Sequence, residues 1–95
     1  MRDSTSFKFN PGSIVATPGA LEALRASGSH PLAYLNRHLS GDWGEVDEHD
    51  RRENEVSLEA GFRLMSVYTL PSGATIWLIT EADRSVTTFL LPDEH

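Results

Sequence analysis

The amino-acid sequence predicts an α+β domain, in which N-terminal helices pack on one face of a three- to four-stranded antiparallel β-meander in two layers. Helix caps and leucines at helical spacing occupy the first two thirds of the chain. From Phe62 onward the pattern changes to short runs rich in β-branched and aromatic residues. The length of 95 residues fits one small domain over residues 1–95 with a single modest core.

Two helices are expected close to the N-terminus. Thr17-Pro18 supplies an N-cap and a proline at the first helical position, which predicts a helix over residues 18–27 that ends at Gly28. Leucines at helical spacing predict a second helix over residues 31–39. Together these segments predict a helical hairpin.

A third helix is predicted from about Asp47 to a stop at Gly61. Acidic residues crowd its first turn, where the helix dipole favours negative charge. Its apolar stripe is thin, and Asp50 and Asn54 fall on the same stripe. We therefore expect buried or cleft-facing polar groups on this helix.

Three strands are predicted in the last third, over Arg63–Leu70, Ala74–Glu81 and Val86–Leu91, joined by short turns. The apolar end of the last strand suggests an edge strand that could pair with a second copy of the chain. Ser13–Ala16 reads as a short extended segment, and the sequence leaves open whether it joins the sheet. Residues 1–10 are expected to be frayed.

Composition and charge exclude several functional classes. The net charge of −6 lies entirely between residues 42 and 59, where eight acids face two bases. A chain that gripped nucleic acid through its phosphates would show a basic stripe instead, so nucleic acid is expected at most as a substrate. The chain has no cysteine, no bilayer-spanning apolar run and no apolar signal segment in its first ten residues. We expect a cytoplasmic protein without a cofactor, metal site or membrane partner.

Several stretches carry a resemblance that extends over nearly the whole chain. They are Ile14–Leu21, Arg37-His38 followed by Gly41–Gly44, and Trp77–Thr88 followed by Leu90-Leu91-Pro92. With these stretches the chain resembles a family of short plasmid- and phage-related bacterial proteins that are often labelled type I restriction subunit-like. The resemblance implies an accessory protein of mobile elements. A methyltransferase activity is not implied, because the chain has no room for a Rossmann-type cofactor domain and lacks its glycine-rich turn.

A looser resemblance concerns the order of elements. Helices followed by a meander, with a histidine on a helix, are similar to the barnase, EndoU, colicin and RelE superfamily of metal-independent ribonucleases. The resemblance implies His38 as a general acid or base, Arg84 or Arg63 stabilising charge on the phosphate, and Thr87 or Thr88 orienting it. The alternative is that His38 caps the second helix, where a cation near the C-terminus is favourable.

The densest polar cluster of the sheet region surrounds the last turn. Its structural interpretation is that the turn residues are ordinary turn formers and the threonines line a solvated strand face. Its functional interpretation is a site formed by this cluster with nearby polar groups. The candidate residues are Asn54, Arg63, Thr80, Glu81, Asp83 and Thr88.

The acidic segment is the candidate partner-binding surface. The candidate residues would face a basic partner of the kind a defence or nucleic-acid-processing enzyme provides; they are Asp42, Trp43, Asp47, Glu48 and Asp50. A solvated helix that keeps the protein soluble is the alternative. Three functional hypotheses follow: a non-enzymatic protein-binding module, a small ribonuclease or toxin-like enzyme, and a homodimeric structural module.

Overall fold

A computed structural model describes residues 7–95 of the chain. Helices and strands follow one another with strands at both ends, and a short 3-10 helix (Pro92–Glu94) comes after the last strand. The α+β class is therefore confirmed. The elements are β1 (Ser13–Ala16), α1 (Pro18–Ala26), α2 (Pro31–Leu39), α3 (Glu48–Ala60), β2 (Leu64–Thr69), β3 (Thr75–Thr80) and β4 (Val86–Leu90).

The helices begin and end at the residues that the capping signals indicate. The Thr17 hydroxyl accepts the N–H of Ala20 at 3.1 Å at the start of α1. The Asp47 carboxylate accepts the N–H of Asp50 at 2.8 Å at the start of α3. Gly61 ends α3 with a left-handed φ of +80°, a conformation that glycine adopts without strain. The predicted helix boundaries are confirmed to within about one residue.

The sheet is mixed, with the order β1-β4-β3-β2. Strands β2, β3 and β4 form the predicted antiparallel meander, and β1 adds to β4 in parallel. The prediction of a purely antiparallel sheet is therefore wrong, because Ser13–Ala16 is a fourth strand. The prediction that Val86–Leu91 forms a sheet edge is also wrong, because β4 lies between β1 and β3.

The apolar core combines buried residues of the first two helices with buried residues of the sheet. Leucines of α1 and α2 meet the alternate strand residues Tyr68, Leu78 and Phe89 there. Phe9 packs against this core, and the N–H of Lys8 donates to the carbonyl of Leu39 at 2.8 Å. Lys8 and Phe9 thus have defined contacts with the rest of the fold, whereas residues 1–6 lie outside the described part of the chain.

Helix α3 lies along the outer edge of β2 and pairs with it through polar groups. The Asn54 side chain donates to the carbonyl of Met65 at 2.7 Å and accepts its N–H at 3.1 Å. Further along, the Val67 N–H donates to the carbonyl of Trp43, and the Glu45 N–H donates to the carbonyl of Val67. The prediction of a buried polar group on α3 is confirmed for Asn54, which is 5% exposed. Its amide acts as a substitute for a neighbouring strand.

Candidate functional site

His38, the candidate acid or base, lies in the interior. The last turn of α2 places it on the same helix face as Leu35, and its side chain is fully buried. Its Nδ1 lies 2.6 Å from the Ser66 hydroxyl, and its Nε2 lies 2.9 Å from the Thr80 hydroxyl. The imidazole therefore bridges β2 and β3 inside the fold and does not cap the helix.

The hydroxyl groups around His38 fix its proton. The Thr80 and Thr87 hydroxyls lie 2.7 Å apart, and the Thr87 hydroxyl donates to the carbonyl of Pro11 at 2.8 Å. Because a threonine hydroxyl has one proton, Thr80 must donate to Thr87 and accept from Nε2–H of His38. Nδ1 then accepts from Ser66. We call Ser66, His38, Thr80, Thr87 and the Pro11 carbonyl the hydroxyl–imidazole network.

The surroundings of His38 favour a neutral ring. Burial, and secondarily the positive charge of Arg84, lowers the pKa of His38 from 6.5 to about 3. The rings of Phe9 and Trp43 pack edge-to-face with it, with centroid distances of 5.2 and 5.7 Å. Near neutral pH the ring is uncharged, fully hydrogen-bonded and shielded from solvent.

Arg84, the candidate charge stabiliser, is engaged with the backbone. Its guanidinium donates to the carbonyls of Phe62 at 2.7 Å and Ser57 at 2.9 Å, and more loosely to those of Glu81 and Ala82. Its backbone has a left-handed φ of +60°, which is costly for a residue other than glycine. These contacts connect the C-terminal end of α3 to the β3–β4 turn.

The predicted polar cluster does not form one site. Asn54 and Thr80 face inward, and Thr88 alternates with the inward-facing Thr87, so it points to the opposite face of the sheet. Arg63, Glu81 and Asp83 are exposed. Asp83 accepts the N–H of Ser85 at 3.0 Å, and hydrogen bonds from Ser85 lower its pKa, as the turn interpretation expects.

Trp43 was predicted on the partner-binding surface, but its side chain lies in the interior. Its side chain is 3% exposed, stacks on Phe9, and donates through Nε1 to the Glu55 carboxylate at 2.8 Å. Burial of the apolar indole ring stabilises the fold, and the Glu55 carboxylate accepts a hydrogen bond from the indole N–H, the only polar group of the side chain. Asp42 remains half-exposed, and the Arg37 guanidinium 2.7 Å away holds the pKa of its carboxyl low.

The remaining predicted acids lie at the start of α3. Asp47 and Glu48 are exposed, and Glu48 pairs with Arg51 at 2.5 Å. Asp50, Asp47 and His49 each bring one donor atom within 4.8 Å of the others, a grouping that the sequence did not suggest. The Asp47 carboxylate already caps α3 through the N–H of Asp50. The helix start therefore accounts for this grouping.

Helix α3 presents a second exposed group that sequence reasoning missed. Val56 is 58% exposed and Phe62, just beyond the helix, is 59% exposed. Unlike the leucines of α1 and α2, they lie within a charged segment, and a hydrophobic side chain surrounded by acids was the available signal. We define the α3 surface as the exposed residues Glu48, Glu53, Val56, Glu59 and Phe62.

Comparisons with known proteins give no relative from which a site could be transferred. The chain matches no protein-family model, no curated protein and no solved structure. Both resemblances stated above therefore stay predictions. Within residues 7–95, no pocket is present and no helix is long and apolar enough to cross a membrane.

Proposed function

We propose that this chain is a non-enzymatic accessory or regulatory module that binds a protein partner through the α3 surface. The observation that carries the proposal is the division of α3 into two sides. Asn54 and Ser57 are buried and hold the helix to β2 and to Arg84. The opposite side exposes carboxylates, the Arg52 guanidinium 3.9 Å from Glu48, and the apolar side chains of Val56 and Phe62.

The chemistry of the α3 surface suits a partner with a basic groove. Carboxylates steer a positively charged surface into register, and large apolar side chains supply the water-free contacts that hold a complex. Proteins that bind nucleic acid carry lysine and arginine along their grooves. A nucleic-acid-processing or defence enzyme is therefore the partner class that fits, in line with the mobile-element resemblance.

The geometry favours this proposal over a ribonuclease. General acid–base catalysis needs a titrating group within hydrogen-bond reach of the substrate. His38 and Thr87 are fully buried, and both hydrogen-bond to the Thr80 hydroxyl. The Arg84 guanidinium donates to four backbone carbonyls. A substrate phosphate would have to displace these internal contacts before it could reach the three groups.

The test is capture of a partner from nuclease-treated lysate of the host, with a matched pair of charge-reversed variants. In the first variant, Glu53→Lys and Glu59→Lys reverse two charges of the α3 surface. In the control, Glu22→Lys and Glu81→Lys make the same charge change at exposed positions elsewhere. We expect the first variant to lose a stoichiometric partner that the wild type and the control retain.

A second variant separates the apolar part of the surface from the charged part. Val56→Ser with Phe62→Ser keeps every carboxylate and removes the two exposed apolar side chains. We expect this variant to capture less partner than the wild type at every salt concentration, because its apolar contacts are lost. Added salt should weaken capture by the wild type as well, because it screens the carboxylates. Equal capture by all the variants, or a wild type that captures no stoichiometric protein, would contradict the proposal.

A further inference from the structure

The outer edge of β1 carries backbone groups that nothing else in the described chain uses. On the inner side, the Ser13 N–H donates to the carbonyl of Ser85 at 3.0 Å, and the Thr17 N–H donates to that of Phe89 at 2.9 Å. Alternate residues of a strand direct their N–H and C=O groups to the same side. The N–H and C=O groups of Ile14 and Ala16 therefore point away from β4.

The side chains of β1 are uncharged, and those of Ile14, Val15 and Ala16 are apolar. Ile14 and Val15 are each 45% exposed. No charged residue lies between Lys8 and Glu22, although the chain as a whole has a net charge of −6. Two copies would repel each other through the acidic segment of residues 42–59, and β1 lies in a segment without charge that adds nothing to this repulsion.

We propose that β1 pairs with β1 of a second copy, antiparallel, about a two-fold axis at Val15. Ile14 of each copy would then lie opposite Ala16 of the other. The two outward-facing residues of each strand would form two hydrogen-bonded pairs with four N–H···O=C bonds. The result is one continuous sheet that runs through both copies, with the Val15 side chains facing each other at its centre.

The outward N–H and C=O groups of Ile14 and Ala16 are better matched by β1 of a second copy than by a longer strand of another protein. β1 is four residues long, and Pro11 and Pro18, which lack an N–H, lie on either side of it. The edge therefore offers a short set of donors and acceptors, and an identical strand turned through 180° matches that set fully. Contacts of this isologous kind are typical of two-fold dimers.

The register can be tested by cross-linking, because the chain has no cysteine. In the proposed pairing, Val15 forms a non-hydrogen-bonded pair with its own copy, with Cα atoms about 4.5 Å apart, within the range that a disulfide spans. We expect Val15→Cys to give a disulfide-linked dimer under mild oxidation. Leu21→Cys, at a position on α1 that is slightly more exposed than Val15, should stay largely monomeric.

Sedimentation of the wild-type chain over a concentration series tests the dimer without any substitution. We expect the mass of the wild type to double as the concentration rises. The double variant Ile14→Lys/Val15→Lys should stay monomeric, whereas the control variant Leu21→Lys should still dimerise. The α3 variant Glu53→Lys/Glu59→Lys should still dimerise, which separates this test from that of the proposed function. A wild type that stays monomeric, equally rapid cross-linking through Leu21→Cys, or a monomer that captures an extended peptide along β1 would overturn the proposal.

Discussion

The two edges of the sheet differ in how their backbone groups are satisfied. At β2, the outward-facing groups of Met65 and Val67 are paired with the Asn54 side chain and with the backbone of Trp43 and Glu45. At β1, nothing else in residues 7–95 hydrogen-bonds to the outward side. An edge strand without a charge, a bulge or a cover invites pairing. Within residues 7–95, the fold thus satisfies the outward groups of β2 internally and leaves those of β1 without a partner.

The largest effect should come from Gly44, which brings the covering segment onto β2. A Cβ at this position would lie 1.9 Å from the Val67 carbonyl oxygen, and the backbone has a left-handed φ of +75°. We expect Gly44→Ala to lower the free energy of unfolding by about 4 kcal/mol or more, because the backbone must move. Denaturant unfolding measures the change.

Gly61→Ala is the matched control for Gly44→Ala. Gly61 has a similar φ of +80°, and a Cβ there would meet nothing within 4 Å. Its cost should be that of the backbone conformation alone, about 1 kcal/mol. Similar losses at the two glycines would mean that the close approach over β2 contributes little.

The next effect concerns the Asn54 amide. Asn54→Leu removes both hydrogen bonds to Met65 and leaves a partly buried N–H and C=O without partners. We expect a loss of about 2–4 kcal/mol in the free energy of unfolding. Glu53→Leu, on the exposed side of the same helix, is the control. A loss under about 1 kcal/mol for Asn54→Leu would show that water replaces the amide readily.

Local signals were sufficient to predict most elements of this fold. The caps Thr17 and Asp47 and the stop at Gly61 mark helix ends through hydrogen bonds within a few residues. The parallel pairing of β1 with β4 joins segments about 70 residues apart. Its register depends on how the intervening helices pack, and a four-residue run carries too little pattern to reveal it.

The candidate site was harder to predict than the elements. His38 follows Leu35 by three residues, a spacing that places both side chains on the same face of α2. The hydroxyls that hydrogen-bond to it come from two strands, β2 and β3, and could not be paired with it without the sheet register. The residue type of His38 therefore suggested a catalytic role, whereas its position on α2 indicated a buried side chain.

The hydroxyl–imidazole network links the two edges, since it runs from Ser66 on β2 to the carbonyl of Pro11 just before β1. Below pH 6.5 the unfolded chain protonates His38, while the folded chain resists protonation until about pH 3. Stability is therefore lost as the pH falls through this window, by up to about 1.4 kcal/mol per pH unit.

The measurement is the free energy of unfolding at pH 7 and pH 5 for the wild type and for His38→Leu. We expect the wild type to lose about 2 kcal/mol more than the variant over this interval, because only the wild type has this imidazole to titrate. The variant should be less stable at pH 7, where Ser66 and Thr80 lose a partner. Parallel pH dependence of the two proteins would contradict a buried neutral ring.

The smallest effect on stability should come from the outward side of α3. Glu53→Lys with Glu59→Lys changes exposed side chains and leaves the Asn54 and Ser57 contacts in place. We expect a change within about 0.5 kcal/mol in the free energy of unfolding, together with loss of the captured partner. If the variant instead unfolded readily, its loss of binding would report on the fold. In that case, partner capture and the free energy of unfolding measured for the Val56→Ser/Phe62→Ser variant would show whether binding is lost without loss of stability.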